Sequence, residues 1–338
     1  MNEGSGVTPV PRRSQPRPSK LYPVLWRFAA ERQHIYLRRV AGEIGPWTDD
    51  PVLSEYRFTN AFRAADRVSQ YLIRLAYADS FASDQTLFLR VLLFKTFNRI
   101  DTWEYIVRNL GPPVALHFDY AACDELLGAR LRAGTPIYSA AYIMPSRGRR
   151  GVPKHRVHLH LIRDMVAYGL PQRVMQARSL EDVYTLLRGW PTLGPFLAFQ
   201  YAIDLNYTAL MSHEERDFVV AGPGARDGLT KCFDWLGDYT LAEHIVWMTE
   251  RQEEEFERYG LRFDGLWGRP LQPIDVQNLL CEVSKYTRVT HPEVQGGSGR
   301  TRIKQRFKAA GVPPRPFFPP KWGLNRRIDE WFAAGCPL

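Results

Sequence analysis

The chain is expected to fold as a mainly α-helical single domain, and three observations predict this. Apolar residues recur at three- and four-residue spacing in block after block. In "LSEYRFTNAFRAADRVSQYLIRLAYAD", for example, Phe58, Phe62, Ala65, Val68, Leu72 and Leu75 would share one helical face. Runs that alternate apolar and polar residues are almost absent, so no large sheet is foreseen. The periodic blocks are separated by Gly- and Pro-bearing breakers such as "GPWTDDP".

Taken in order, residues 1–20, "MNEGSGVTPVPRRSQPRPSK", are rich in Pro, Ser and Arg and predict a disordered basic arm. A first helix is predicted over "YPVLWRFAAERQHIYLRRVAGE", a second through the block quoted above, and two more in "DQTLFLRVLLFKTFNRIDTWEYIVRNLG". Asp119–Ala133, Val157–Tyr168 and Leu180–Arg188 read as helices. The stretch "GTPIYSAAYIMPSRGRRGVPKHRVHLH" is turn-rich and basic, with room for a short hairpin. "LGPFLAFQYAIDLNYTAL" reads as a buried helix, and "VVAGPGARDGLTKCFDWLGD" as a glycine-rich hairpin feeding another. "TLAEHIVWMTERQEEEFERYGL" is amphipathic and charged, and "QPIDVQNLLCEVSKYTRVTH" closes the helical body at residues 21–290. Residues 291–338 are Gly/Ser-rich, then basic, then proline-rich, and predict an extended tail packing on the same domain. There is no internal repeat.

Composition narrows the function classes. The 338 residues carry a formal charge of +9. Between Ser284 and Arg327 eleven Lys/Arg stand against one acid, Glu293. Such a tract favours polyanions, nucleic acid before an acidic membrane, over a merely solvated basic surface. The four cysteines are far apart with no C-x-x-C, which argues against a zinc ribbon and a disulfide framework. No apolar run approaches the roughly 20 residues of a membrane span, and no signal-peptide core opens the chain, so a soluble intracellular protein is expected.

Four constellations could carry chemistry. In "RFTNAFRAADR", a helix burying Phe58 and Phe62 would align Arg57, Asn60, Arg63, Asp66 and Arg67 along an adjoining edge. Guanidinium forks suit phosphate and Asn suits a base edge, although a solvated face of ion pairs has the same spacing. In "GPFLAFQYAIDLNY", Gln200, Asp204 and Tyr207 recur on an otherwise apolar helix. They imply a buried network or a pocket wall for a base or sugar. The turn around Gly222 and Gly224 is no P-loop, since Gly228 is followed by Leu229. A nearer analogue is the helix–hairpin–helix of DNA glycosylases, whose backbone N–H groups grip a phosphate, and a plain tight turn is the alternative. In "LLCEVSKYTRV", Glu282 and Lys285 can pair beside Cys281 and Tyr286, for acid–base work or simply for structure. His155, His158 and His160 lack the H-E-x-x-H spacing, and no metal ligand set is assigned.

Together, "RFTNAFRAADR", "GPFLAFQYAIDLNY", "GPGARDGL" and "LLCEVSKY", in this order, resemble the helical domain of 5-hydroxymethyluracil DNA kinases. That superfamily includes the α-glutamyl/putrescinyl-thymine pyrophosphorylases. The resemblance spans about Tyr22 to Trp322 and implies a DNA base hypermodification enzyme with a DNA-glycosylase-like helical fold. It acts on a thymine-derived base that must leave the stack. In the kinase branch ATP, with Mg²⁺, phosphorylates the 5-hydroxymethyl group. DNA is the implied partner, with other base-modification enzymes as further candidates. Mapped here, Arg57, Arg63 and Arg67 would hold phosphates and Asn60 would orient. Asp66 or Asp204 would be general base or metal ligand, and Glu282 and Lys285 would complete the site. Gln200 and Tyr207 would line a base pocket, and Gly222 and Gly224 would bind a phosphate. Two alternatives stay open: a glycosylase-like or pyrophosphorylase base-processing enzyme, and a non-catalytic DNA-binding protein.

Overall fold

The computed structural model describes residues 13–142, 144–145, 151–308 and 311–337, and it is mainly helical. Two long helices form its middle, α4 (Asp84–Phe97) and α10 (Pro195–Asn206), counting from α1 (Tyr22–Val40), α2 (Pro51–Glu55) and α3 (Arg67–Tyr77). Between them lie α5 (Ile100–Leu110), α6 (Tyr120–Arg132), α7 (Lys154–Ala167), α8 (Leu170–Met175) and α9 (Leu180–Arg188). The second half contributes α11 (Pro223–Cys232), α12 (Leu241–Glu250), α13 (Gln252–Arg258), α14 (Pro273–Thr290) and α15 (Leu324–Ala333).

Local signals explain where these helices begin. The Ser83 hydroxyl accepts from the Thr86 N–H at α4, and the Asp119 carboxylate accepts from Ala121 and Ala122 at α6. Thr240 and Glu243 form a reciprocal capping box at α12. Proline opens α1, α10, α11 and α14, where its missing N–H costs nothing. Helices α4 and α10 are buried over almost their whole lengths, from Thr86 to Phe97 and from Leu197 to Asn206. They are apolar nearly all round, as a central helix must be. Around them α7 and α9 close one side, and α14, lying across α11 and α1, closes the other.

Glycines set how closely α11 and α14 approach. A Cβ on Gly228 would lie 2.2 Å from the Leu280 carbonyl oxygen, and one on Gly224 would lie 2.2 Å from Cys281 Sγ. The two glycines, four apart, let the helix backbones touch.

The structure departs from expectation in five places. The segment "RFTNAFRAADR" is not one helix. Residues 57–62 are irregular, Arg63–Ala65 form a single 3-10 turn, and α3 starts only at Arg67. Its polar side chains bond its own backbone: Asn60 Nδ2 donates to the Ala65 carbonyl at 2.8 Å, and Asp66 Oδ1 accepts the Asn60 N–H at 2.9 Å. Asn and Asp used this way compete with the helical ladder. The predicted helix at Thr240–Leu261 is interrupted at Arg251, between α12 and α13. The N-terminal arm is pinned from Arg13 onward, where β1 (Arg17–Pro18) pairs antiparallel with β2 (Phe233–Trp235); residues 1–12 lie outside the described set. The C-terminal tail ends in α15, whose Leu324 and Ile328 are buried. No hairpin strands occur among the described residues of 134–154, and residues 143 and 146–150 lie outside that set.

The Gly-Pro-Gly turn caps α11 with Gly222, but it does not join two adjacent helices as a tight hairpin. The whole segment 207–222, with one 3-10 turn at Glu215–Asp217, separates it from α10.

Candidate functional site

The two central helices carry buried charges that meet between them. Lys95 Nζ on α4 lies 2.7 Å from Asp204 Oδ2 on α10, and Arg63 Nη2, from the 3-10 turn, lies 2.7 Å from Asp204 Oδ1. Arg63 is 1% exposed, Lys95 3% and Asp204 2%, so the triad is sealed in the interior. Arg63 Nε donates to Gln200 Oε1 at 2.9 Å, and Gln200 Nε2 donates to Gln277 Oε1 at 3.2 Å. The guanidinium also stands 5.4 Å from the Tyr207 ring centre, and its Nη1 has no hydrogen-bond partner.

Two cations thus share one carboxylate. Burial pulls the Lys95 ammonium down to about 8 while Asp204 opposes the fall. Burial would raise the Asp204 carboxyl, but Arg63 and Lys95 overcome it and hold the group below its ordinary range.

A second network fixes the 57–66 loop along α14. Glu282 Oε2 accepts the Thr59 N–H at 3.0 Å, and Asp275 Oδ1 accepts the Arg63 N–H at 2.8 Å. Arg32 of α1 donates to the Thr59 carbonyl at 3.0 Å and to Asn60 Oδ1 at 3.2 Å. Lys285 Nζ reaches Glu282 at 2.6 Å and the Arg57 carbonyl at 2.8 Å. Burial pushes the Asp66 carboxyl up to about 7 and Asp275 up to about 6, against the backbone N–H groups they accept.

The structure therefore brings Arg63, Gln200, Asp204 and Tyr207 together, and groups Asn60, Asp66, Glu282 and Lys285 in the neighbouring network. It does not align Arg57, Arg63 and Arg67 on one edge, since Arg57 and Arg67 are exposed while Arg63 points inward. A Cβ on Gly222 would lie 2.6 Å from the Phe196 ring and one on Gly224 would lie 2.2 Å from Cys281 Sγ, so close packing favours glycine at both positions. Among the histidines, His155 pairs with Asp124 at 3.1 Å, and His158 bonds the Tyr138 hydroxyl at 2.8 Å. Lys95, Asp275, Gln277 and Arg32 complete the networks without having been singled out. The one signal for Lys95 is a cation next to the apolar run "VLLF", in a helix with little polar surface.

Open space lies elsewhere. A cleft of about 1140 Å³ runs between α1 and the 260–268 loop, floored by the segment before α2. Phe28, Phe263, Trp267 and Tyr286 give it aromatic walls, and Glu31, His34, Asp49 and Arg262 give it charge. The Tyr286 hydroxyl donates to Asp50 at 2.5 Å, fixing one wall to the floor. Of the residues named from sequence only Tyr286 lines this cleft, and Glu282 and Lys285 stand on the same helix within four positions of it.

Comparison with known proteins identifies the family. The family model for "5-hmdU DNA kinase, helical domain" matches residues 19–296. A curated 5-hmdU DNA kinase of Bacillus phage SP10 is 29% identical over 280 residues, covering 76% of this chain and 43% of the relative. The chain thus spans less than half the length of that relative. No solved structure matches. Among the described residues no helix is long and apolar enough to cross a membrane, and no group of three His, Cys, Asp or Glu side chains converges as a metal site.

Proposed function

The chain belongs to the family of the 5-hmdU DNA kinase helical domain, and from that premise we propose that it works in DNA base hypermodification. Its substrate in this reading is 5-hydroxymethyluracil in DNA, flipped into the cleft over α1 for ATP-dependent phosphorylation. The observation that carries the reading is the cleft itself. At about 1140 Å³ it exceeds the roughly 300–1,000 Å³ of ordinary ligand sites. Aromatic walls of the kind that stack an extruded base line it.

The chain's own residues divide into two tasks. Phe28, Phe263 and Tyr286 stack and exclude water, while Glu282 and Lys285, at the cleft edge, orient the hydroxymethyl oxygen and neighbouring phosphate. The interior set of Arg63, Asp66, Asp204, Gln200, Tyr207 and Asn60 holds the 57–66 loop in place beneath them. Arg57 and Arg67 face solvent, where they suit the DNA backbone. ATP supplies the phosphoryl group and Mg²⁺ its counter-charge.

A second reading is favoured by length. The relative is more than twice the matched stretch, so the nucleotide site can belong to a separate unit while this chain presents the base. Incubation with γ-labelled ATP, Mg²⁺ and duplex DNA, with and without 5-hydroxymethyluracil, decides between them. Label on the modified duplex alone, reduced at least about tenfold in Lys285→Ala, supports catalysis by this chain. Absent label with binding that prefers the modified duplex, lost in Tyr286→Ala, supports the second reading. Neither label nor preference removes both.

A further inference from the structure

Every second residue from 300 to 308 is basic: Arg300, Arg302, Lys304, Arg306 and Lys308. The stretch lies outside the family match, and its residues 305–307 run antiparallel to residues 55–57. The Arg57 N–H donates to the Gln305 carbonyl at 3.0 Å, and the Phe307 N–H donates to the Glu55 carbonyl at 2.9 Å. Extended backbone sends successive side chains to opposite faces. Here Ile303 and Phe307 turn inward, Phe307 against Trp47 at 6.2 Å, and all five cations are exposed. Arg306 pairs with Glu55, whereas the other four make no ion pair among the described residues.

We propose that this arm is a phosphate ladder for duplex DNA, gripping the backbone without reading sequence. The inference deepens the hypermodification reading and rests on its assignment of DNA. The spacing is the argument. Two residues of extended chain advance about 6.6–6.8 Å. Successive phosphates of one DNA strand rise about 3.4 Å along the axis and also wind round it, so the through-space step between neighbours is close to the step between the cations. The cations therefore meet successive phosphates of one strand over a short run, and the bonds of Gln305 and Phe307 to residues 55–57 hold the arm and lower its ordering cost. The arm also borders the cleft, because Trp47 and Glu55 flank the residues 48–53 that contribute its floor. An acidic membrane fits less well: its binding wants exposed apolar side chains beside the cations, and between them Thr301 and Gln305 are polar while Ile303 and Phe307 are partly buried.

The test uses the full chain with Arg300→Gln, Arg302→Gln and Lys304→Gln combined. A control of equal charge combines Arg173→Gln, Arg178→Gln and Arg108→Gln, all exposed and outside the basic tract. Anisotropy of a labelled duplex between about 50 and 200 mM salt gives the slope of log affinity against log salt. The ladder triple should flatten that slope by about 0.9 per lost contact, up to about 2.7, equally for thymine and 5-hydroxymethyluracil duplexes. The control triple should leave it unchanged, and both should melt like the parent. An unchanged slope in the ladder triple, or an equal loss in both triples, overturns the proposal. Loss of binding to phosphatidylserine vesicles with an unchanged duplex slope overturns it in favour of a membrane. A flattened slope in a protein that shows neither label transfer nor base preference would sink the hypermodification reading alone and leave the ladder standing.

Discussion

Asp204 is the residue on which the interior depends most. It is the sole carboxylate bonded to both Arg63 and Lys95, each almost wholly enclosed. Removing one partner from a buried ion pair leaves a charge that nothing else neutralises. Asp204→Asn should cost about 3–5 kcal/mol in urea unfolding. Adding Lys95→Met should return part of that loss, since one stranded cation disappears; a neutral Asp204→Asn would refute the account. Glu215 adds a pH effect at the same scale. Burial raises its carboxyl to about 7, opposed by Arg269 at 3.1 Å. The unfolded chain releases this proton near pH 4.3, so between about pH 4.3 and 7 the folded state holds more protons. Its contribution to stability therefore falls as pH rises through that window. Glu215→Gln should flatten the parent's decline over the window, read by melting at a series of pH values.

At the scale of elements, the contact between α11 and α14 is set by glycine. A Cβ at Gly228 meets a backbone carbonyl that cannot swing away, whereas a Cβ at Gly224 meets the Cys281 side chain. Gly228→Ala should destabilise by about 1–3 kcal/mol or more, with no side-chain change able to relieve it. Gly224→Ala should be partly rescued by Cys281→Ala, and Gly297→Ala, with open space around it, should be neutral. Equal melting of all three would refute the packing argument. These glycines also show where sequence is legible. Long helices such as α1, α4, α10 and α14 follow from periodicity because one side of each, or all of it, must be buried. In "GPGARDGL" the sequence shows that Gly224 and Gly228 are small, but spacing does not record which neighbour packs against them. The 57–66 loop misleads for a related reason. Its apolar residues keep helical spacing, but Asn60, Asp66, Glu282 and Asp275 capture its backbone N–H and C=O groups, and two of those carboxylates come from a helix more than 200 positions away. Polar groups of the candidate site are visible in sequence as Arg63, Gln200 and Asp204. The cleft is not, because its walls come from α1, the 260–268 loop and the end of α14, which no local pattern joins.

At the scale of the whole molecule, the family match ends at residue 296 but the packing does not. Phe318, Leu324 and Ile328 are buried in the common core. Lys321 Nζ donates to the carbonyls of Asn206, Thr208 and Met211, at 2.5, 3.0 and 2.5 Å, closing the C-terminal end of α10. Those carbonyls have no further turn to bond, and a cation there also opposes the negative end of the helix dipole. Trp322 packs edge-on against Tyr207 at 5.4 Å and lies beneath the Arg269 guanidinium at 4.0 Å. The tail therefore reaches Arg63 through one intermediate ring, since Tyr207 is the surface on which that guanidinium rests. A chain ending at Gly311 would lose these contacts together and expose the core face that Phe318 covers. It should unfold at lower temperature and with a broader transition than the full chain, and it should bind an apolar dye before melting. Lys321→Met in the full chain is the milder version. It keeps the apolar stem and should lower the melting temperature without broadening the transition, because only the carbonyl bonds are lost. A sharp, unshifted melt of the shortened chain would mean that the first 311 residues hold the Arg63 cluster without the tail.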